Sequence, residues 1–275
     1  MANITAAEVN KLRQMTGAGM MDCKKALVES DGDFDKAIDI LRKKGQKVAN
    51  KRADKEANEG IVIARKSGDN KYAAVVKISC ETDFVAKNEE FVQFANAVID
   101  TILEEKPKDT EAVKALNVNG QTVDQGLTEL IGKTGEKMEL AGFEYIEAES
   151  VSAYNHMGNK LATILGLSKA GSEDAGHQLA MQVAAMNPVA VDKDDVPQSV
   201  IEKEMEIGMD QARQEGKPEN MLEKIATGKL NKFFKENTLV NQDFVRDSKI
   251  TVGQFLKNTD PELKVTGFRR LMLGA

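Results

Sequence analysis

An acid stands beside an aromatic residue in Thr82-Asp83-Phe84-Val85, where a predicted strand gives way to a predicted helix. Thr82 and Asp83 are suited to cap that helix, because their side-chain oxygens accept hydrogen bonds from its first free N–H groups. Phe84 precedes Phe91 by seven residues, a spacing that puts both rings on nearly the same helix face. Periodicity alone therefore favours a core position for Phe84. The alternative is a carboxylate and a ring presented to another protein.

The acids Asp31, Asp33 and Asp35 imitate the start of a calcium-binding loop. Such a loop needs Gly at its sixth position and Glu at its twelfth, where this sequence has Lys36 and Arg42. We therefore interpret the three acids as residues of a helix-capping turn.

The other motifs that could carry chemistry also fail on spacing or context. Gly126–Thr134 resembles a phosphate-binding loop, but it has one residue too many between its glycines and a helical context. His156 and His177 have no Cys or second His at metal-ligand spacing. Cys80 has no base near it in the sequence. We expect no catalytic residue, no metal site and no cofactor, so an enzyme is disfavoured.

Composition indicates a soluble, cytoplasmic protein. The 275 residues carry a net charge of −6, whereas nucleic-acid-binding proteins usually show a basic footprint. The run Arg42–Lys55 has seven basic residues and one acid but no interleaved aromatics, which is typical of a solvated helix or linker. No apolar run approaches the roughly 20 residues that span a bilayer, and the chain opens into an amphipathic helix without a leader pattern. We expect no membrane and no direct nucleic-acid partner.

Apolar periodicity predicts three short helices at the start of the chain. The turns Thr16–Gly19 and Ser30–Asp33 separate them. Residues 1–44 are therefore predicted to form a compact three-helix bundle. Residues 45–58 have little apolar periodicity and indicate a linker, which could be helical.

The rest of the chain contains one small unit twice. In each copy a β-hairpin is followed by a helix, a spacer, a short helix and a strand with an internal Gly-Phe. Thr122–Leu127 resembles Thr251–Leu256, and Gly142-Phe143 matches Gly267-Phe268. Residues 59–148 and 149–275 are predicted to be duplicated core subdomains, each with a three-stranded antiparallel sheet covered by helices on one face.

The spacer of the second copy predicts an additional element. Within residues 197–236, two amphipathic helices of about two to three turns each are joined at Gly216-Lys217-Pro218. They are expected to form an antiparallel hairpin that projects from the second core subdomain. The predicted fold class is α+β.

The first copy is longer than the second where the hairpin meets its helix. Ser79 and Phe91 are 12 residues apart, whereas Ser168 and the comparable Gly176 are 8 apart. The extra residues roughly coincide with Thr82–Val85. Extra residues at one end of a repeated scaffold are better placed to serve a partner than a core, which supports the exposed interpretation of this turn.

Three blocks of the sequence resemble bacterial elongation factor Ts, the family of guanine-nucleotide exchange factors for elongation factor Tu. They are Thr16–Leu27, Thr82–Lys87 and the turn Tyr154–Gly158, and the resemblance extends over nearly the whole chain. It implies that the bundle is UBA-like (ubiquitin-associated-like), that the hairpin projects, and that the protein acts by binding and not as an enzyme. Longer members carry a further C-terminal helix, so contacts made by that helix are not expected here.

The resemblance also implies how the partner, elongation factor Tu, is contacted. Asp83 and Phe84 would intrude beside its magnesium and nucleotide site, with Thr82 and Val85 completing the turn, so that Mg²⁺ is displaced and GDP leaves. His156 and its turn would contribute from the second core subdomain. The bundle would grip the partner's nucleotide domain through four residues, namely Arg13, Met20, Met21 and Lys24.

Two other functions stay open from the residues alone. A non-enzymatic adaptor or chaperone-type module could use the same bundle and coiled-coil hairpin. An RNA-binding protein could use Arg42–Lys55, and its affinity would fall steeply with salt.

Overall fold

The structure, a computed structural model, describes residues 4–274, and its N-terminal part is a group of three helices. These are α1 (Ala6–Thr16), α2 (Met20–Glu29) and α3 (Phe34–Lys51). Their buried faces meet in one apolar cluster that includes Leu12 and Leu27. Helix α3 continues well beyond residue 44, so the first half of the segment predicted as a linker is helical.

The first core copy begins with the hairpin β1 (Glu59–Lys66) and β2 (Tyr72–Cys80). A later strand, β5 (Met138–Glu147), completes an antiparallel sheet of order β1-β2-β5. The elements between β2 and β5 follow in chain order, with the bounds α4 (Asp83–Ala86), α5 (Glu89–Glu105), α6 (Thr110–Ala115), β3 (Asn117–Val118), β4 (Gln121–Thr122), α7 (Val123–Thr134) and β5 (Met138–Glu147).

The second core copy repeats this order around its own sheet, in which β7 (Leu161–Leu167) lies between β6 (Ser150–Asn155) and β10 (Val265–Met272). It begins with the hairpin β6 (Ser150–Asn155) and β7 (Leu161–Leu167). The later elements are α8 (Glu173–Met186), α9 (Gln198–Gln214), α10 (Leu222–Asn237), β8 (Asp243–Phe244), β9 (Asp247–Thr251), α11 (Val252–Thr259) and β10 (Val265–Met272). Small antiparallel sheets combined with helices confirm the α+β class.

Local structure supports the duplication in detail. Thr122 and Thr251 each open the short helix of their copy with a capping box, pairing with the Gln three residues later. Each final strand also contains a register shift directly before its Gly-Phe, opposite the middle strand of the sheet. A bulge bends the strand and increases its twist, so both sheets are curved at the same place.

The two sheets pack face to face, which the sequence pattern did not predict. Val62 and Val75 of the first sheet share an apolar cluster with Val151 and Ile164 of the second. The alternate residues, such as Ile63, face the helices of the first copy instead. Strands β1 and β2 are therefore buried on both faces, which explains why they are apolar almost throughout, whereas β5 alternates between buried and exposed residues.

Helices α9 and α10 pack side by side and are joined by the short connection 215–221. Gly208 permits the close approach, since a Cβ there would lie 3.1 Å from Ala226. The helices contain 17 and 16 residues, between four and five turns each, so the prediction of two to three turns was too short. Among residues 4–274, no helix combines the length and the apolar character that crossing a bilayer requires.

Candidate functional site

The segment Thr82–Val85 caps and begins a single helical turn, α4 (Asp83–Ala86), beyond the end of β2. Thr82 is its N-cap and accepts a hydrogen bond from the Val85 N–H. The Thr82 N–H and hydroxyl both donate to the Glu136 carboxylate, at 3.1 and 2.9 Å. Val85 is buried in the core of the first copy. The start of α4 is thus held from two sides.

Phe84 leaves this turn into solvent and is 84% exposed. Phe91 is 1% exposed, so the two rings do not share the core face that periodicity alone favoured. The physical reason is a helix break: α4 ends at Ala86, and Asn88 caps a new helix by accepting from the N–H groups of Glu90 and Phe91. Seven-residue spacing places two side chains on one face only within a continuous helix.

Asp83 is the first helical residue of α4 and is half-exposed beside Phe84. Its carboxylate accepts a hydrogen bond from Lys87 at 2.7 Å, one turn later. That bond, with a weaker contribution from Lys160, lowers the pKa of Asp83 from its ordinary value. The carboxylate is therefore charged at neutral pH and stands next to an exposed ring.

An ion pair secures the residue before the turn. The Glu81 carboxylate accepts from Nε and Nη2 of Arg52, at 2.6 and 2.5 Å, and from the backbone N–H of Lys137 at 2.5 Å. Chiefly because of the bonds from Arg52, the pKa of Glu81 falls to about 2. Arg52 is the C-cap of α3. The three-helix group and the base of the turn are therefore joined by a charge-assisted contact.

His156 lies in the exposed turn between β6 and β7, where its Nδ1 lies 3.0 Å from the Tyr154 hydroxyl. This turn adjoins the start of β1, since Val62 N–H donates to the Asn159 carbonyl at 2.7 Å and Lys160 pairs with Glu59 at 2.8 Å. Glu59 is in register with Cys80, two residues before Thr82. The two predicted contact regions therefore occupy the same edge of the molecule.

Met157 follows His156 in that turn and is 89% exposed, yet it is absent from the predicted contacts. A methionine in a tight turn with glycine on one side is unusual for a core residue, and that position is the signal that could have identified it. Phe84 and Met157 are the most exposed of the large apolar side chains in the described part of the chain.

Arg13, Met20, Met21 and Lys24, the four residues predicted for the bundle, are all exposed on α1 and α2. Met15 is a further exposed apolar residue of α1. The structure therefore exposes three methionines and two basic side chains on the first two helices.

The motifs rejected from sequence have structural explanations. Asp33 caps α3 by accepting from the Lys36 N–H, as predicted. Gly126–Thr134 lies within α7. Burial raises the pKa of the Cys80 thiol to about 12, which leaves it un-ionised at neutral pH. Among residues 4–274, no group of three or more His, Cys, Asp or Glu side chains is arranged to hold a metal ion.

Comparison with known proteins agrees with this architecture. The family model described as "Elongation factor TS" matches residues 81–275. The elongation factor Ts of Christiangramia forsetii is 53% identical over 276 residues, and the alignment covers 100% of both chains. Those of Amoebophilus asiaticus and Porphyromonas gingivalis are 52% and 49% identical, over 99% of each chain. With the family model matching most of its length and relatives matching all of it, this chain belongs to the elongation factor Ts family of translation elongation factors.

Proposed function

We propose that this protein is a guanine-nucleotide exchange factor that binds elongation factor Tu and promotes its release of GDP, so that GTP can be loaded. It acts by binding and makes or breaks no covalent bond. The element that acts on the nucleotide site is the turn Thr82–Val85. Its place of action is the cytoplasm, where translation takes place.

The exposed ring of Phe84 is the observation that carries this proposal. An aromatic side chain that is 84% exposed contributes little to its own fold, while its neighbour Val85 is buried and Thr82 is bonded to Glu136. An exposed ring on a turn that is held in place is suited to insertion into a pocket of another protein. A buried aromatic anchor contributes roughly 2–4 kcal/mol to binding.

Displacing the partner's Mg²⁺ promotes the release of GDP. A GTPase holds GDP largely through backbone N–H groups around the phosphates and through the metal ion, so loss of the ion weakens the whole site. The Phe84 ring wedges between helices beside this ion, and the Asp83 carboxylate disturbs the hydrogen bonds there. By linkage, this protein lowers the affinity for GDP by the same factor by which GDP lowers the affinity for this protein.

Other surfaces dock the partner without acting on the nucleotide. The three-helix group, a UBA-like bundle, holds the nucleotide domain through Arg13, Met20, Met21 and Lys24. The turn with His156 makes a contact from the second core copy, and it shares an edge with α4. Helices α9 and α10 form a projecting coiled-coil hairpin.

Stopped-flow release of fluorescent GDP from elongation factor Tu tests the proposal. Wild-type protein should accelerate release, and Phe84→Ala should slow the accelerated rate by about 30- to 1,000-fold if the anchor contributes roughly 2–4 kcal/mol. Asp83→Ala should have a smaller effect. Val189→Ala is the matched control, because it removes an exposed apolar side chain from the segment between α8 and α9.

Two outcomes would contradict the proposal. One is wild-type protein that leaves GDP release unchanged. The other is a folded Phe84→Ala/Asp83→Ala double variant with near-wild-type acceleration, which would remove the turn from the mechanism.

A further inference from the structure

Residues 81 and 82, at the base of α4, are bonded to residues 136 and 137, which connect α7 to β5. Thr82 donates twice to the Glu136 carboxylate, and Glu81 accepts from the Lys137 N–H. Two adjacent residues on one segment therefore bond two adjacent residues on the other. This paired contact fixes both the position and the direction of the chain as it enters α4.

A helix as short as α4 needs a contact from outside itself to hold it, and Glu136 supplies that contact through Thr82. A four-residue helix has almost no internal hydrogen bonding to hold it, since nucleation is unfavourable and few bonds follow. The Thr82 hydroxyl has one proton, which it donates to Glu136, while its lone pairs remain free to accept from Val85 N–H. The carboxylate thus orients the hydroxyl for its role as N-cap.

The contacts continue into the segment after α3. The Lys137 ammonium donates to the carbonyls of Ala53 and Lys55, at 3.0 and 3.1 Å. Together with Arg52 and Glu81, these bonds immobilise the connection 135–137 that carries Glu136. The segment that carries the Glu136 carboxylate is therefore itself held in place by hydrogen bonds.

We propose that Glu136 is a positioning residue for nucleotide exchange, acting through Thr82 to fix the start of α4 and hence the direction in which Phe84 leaves the surface. This inference rests on the proposed function and concerns a residue that does not itself enter the partner's site. An anchor whose direction is fixed in advance loses less conformational entropy when it inserts. Freeing the turn should therefore reduce the rate of release from the docked complex more than it weakens docking.

The test is GDP release from elongation factor Tu over a series of concentrations of the full-length protein, which separates the plateau rate from the half-saturating concentration. Glu136→Gln keeps the shape and removes the charge, and it should lower the plateau rate about tenfold, since hydrogen bonds to charged groups are among the stronger ones. The half-saturating concentration should change less than about threefold, because the bundle and the His156 turn still dock.

Three further variants test whether Glu136 acts through Thr82. Thr82→Val removes the hydroxyl at nearly constant volume and should reproduce the loss, whereas Thr82→Ser keeps the hydroxyl and should retain near-wild-type exchange. The double variant Thr82→Val/Glu136→Gln should be little worse than either single variant, since both remove the same contact. Glu147→Gln is the control, because it makes the same charge change at the far end of β5, where Glu147 pairs with Lys108 and touches neither Thr82 nor Lys137.

Hydrogen exchange at the backbone amides of residues 82–87 is a second measurement that tests the inference. Glu136→Gln should accelerate exchange there and leave the strand β2 protected. A Glu136→Gln protein with a wild-type plateau rate, or one no slower than Glu147→Gln, would overturn the inference while Phe84→Ala still reports on the proposed function. Wild-type protein that fails to accelerate release would overturn both.

Discussion

In the first core copy residues 81–88 join β2 to α5, whereas in the second copy residues 168–172 join β7 to α8. The longer connection contains the helical turn α4 with Phe84 at its surface, and the shorter one contains no helix. Both are bonded to the connection that precedes the last strand of the sheet. In the second copy, Ser168 N–H donates to the Lys264 carbonyl and Lys264 N–H donates to the Ser168 hydroxyl, each at 3.0 Å.

The difference between the copies shows which contacts belong to the shared scaffold and which residues are added to it in the first copy. The attachment of one connection to the other is common to both, so it belongs to the duplicated fold. The turn α4 and its exposed ring occur only in the first copy, and they are built on that attachment. Extra chain at an already immobilised position can be presented rigidly to a partner, which an ordinary flexible loop cannot do.

The largest effect on stability is expected where the first copy has two phenylalanines with opposite environments. Phe91→Ala should lower the free energy of unfolding by about 3–5 kcal/mol, because it empties a fully buried site. Phe84→Ala should change it by less than about 0.5 kcal/mol, because that ring is in solvent. Urea unfolding measures both, and equal losses would mean that Phe84 belongs to the core and that the copies do not differ as described.

The second copy brings its helix closer to the sheet at Gly176, where the first copy has the bulky Phe91. A Cβ at Gly176 would lie 2.3 Å from the Ser152 Oγ and 3.1 Å from its Cβ. Gly176→Ala should therefore lower the free energy of unfolding by about 1–3 kcal/mol. Gly228→Ala in α10 is the control, since no atom lies within 4 Å, and it should stabilise by about 0.5–1 kcal/mol through helix propensity. Destabilisation of equal size by both would refute close packing.

Lowering the pH should weaken the contacts that Glu81 makes in the first copy. The folded pKa of Glu81 is about 2, below its ordinary value of 4.5, so its stabilising contribution is complete above about 4.5 and is lost as pH falls towards 2. Glu81→Gln should be less stable than wild type at neutral pH, and the gap should close over that window. Thermal unfolding from pH 7 to pH 2 measures this. If the stability difference between wild type and Glu81→Gln stayed constant from pH 7 to pH 2, the ion pair with Arg52 would not be the source of that difference.

The smallest effect is expected from the corresponding charges in the second copy. Lys169 pairs with Asp260 at 2.7 Å and Glu262 at 2.9 Å, with the acids partly or largely exposed. Lys169→Gln should lower the free energy of unfolding by at most about 1 kcal/mol, since exposed ion pairs are screened by water. It should leave GDP release unchanged. If Lys169→Gln lowered the free energy of unfolding as much as Glu81→Gln does at pH 7, the two sets of contacts would stabilise the fold equally, contrary to this comparison.

Much of the fold follows from local pattern. The two hairpins, the capping residues Thr122 and Thr251, and the matching Gly-Phe strands are readable because caps and turns depend on residues within a few positions. The ladders β3–β4 and β8–β9 were not predicted, because strands of two to five residues carry too little periodicity. The lengths of α3, α9 and α10 were underestimated, since each of these helices buries only two of its residues.

The candidate site was predictable in part. The sequence pointed to Thr82–Val85 through residue type and the unequal length of the copies, and the bundle residues and His156 came from the family resemblance. Glu136 and Arg52 could not be identified in this way, because their importance lies in contacts between distant segments. Glu136 is 54 residues from Thr82, and Arg52 is 29 from Glu81.

The sequence by itself determined the two hairpins, the capped helices, their order and their repetition, since each depends on side-chain spacing and on caps that act within a few residues. Only the tertiary structure decided that Phe84 is exposed while Phe91 is buried, and that the two sheets pack against each other. It also decided that the His156 turn reaches the edge that carries α4. Burial is a property of what packs against a side chain from elsewhere in the chain, and periodicity along one segment cannot specify that partner.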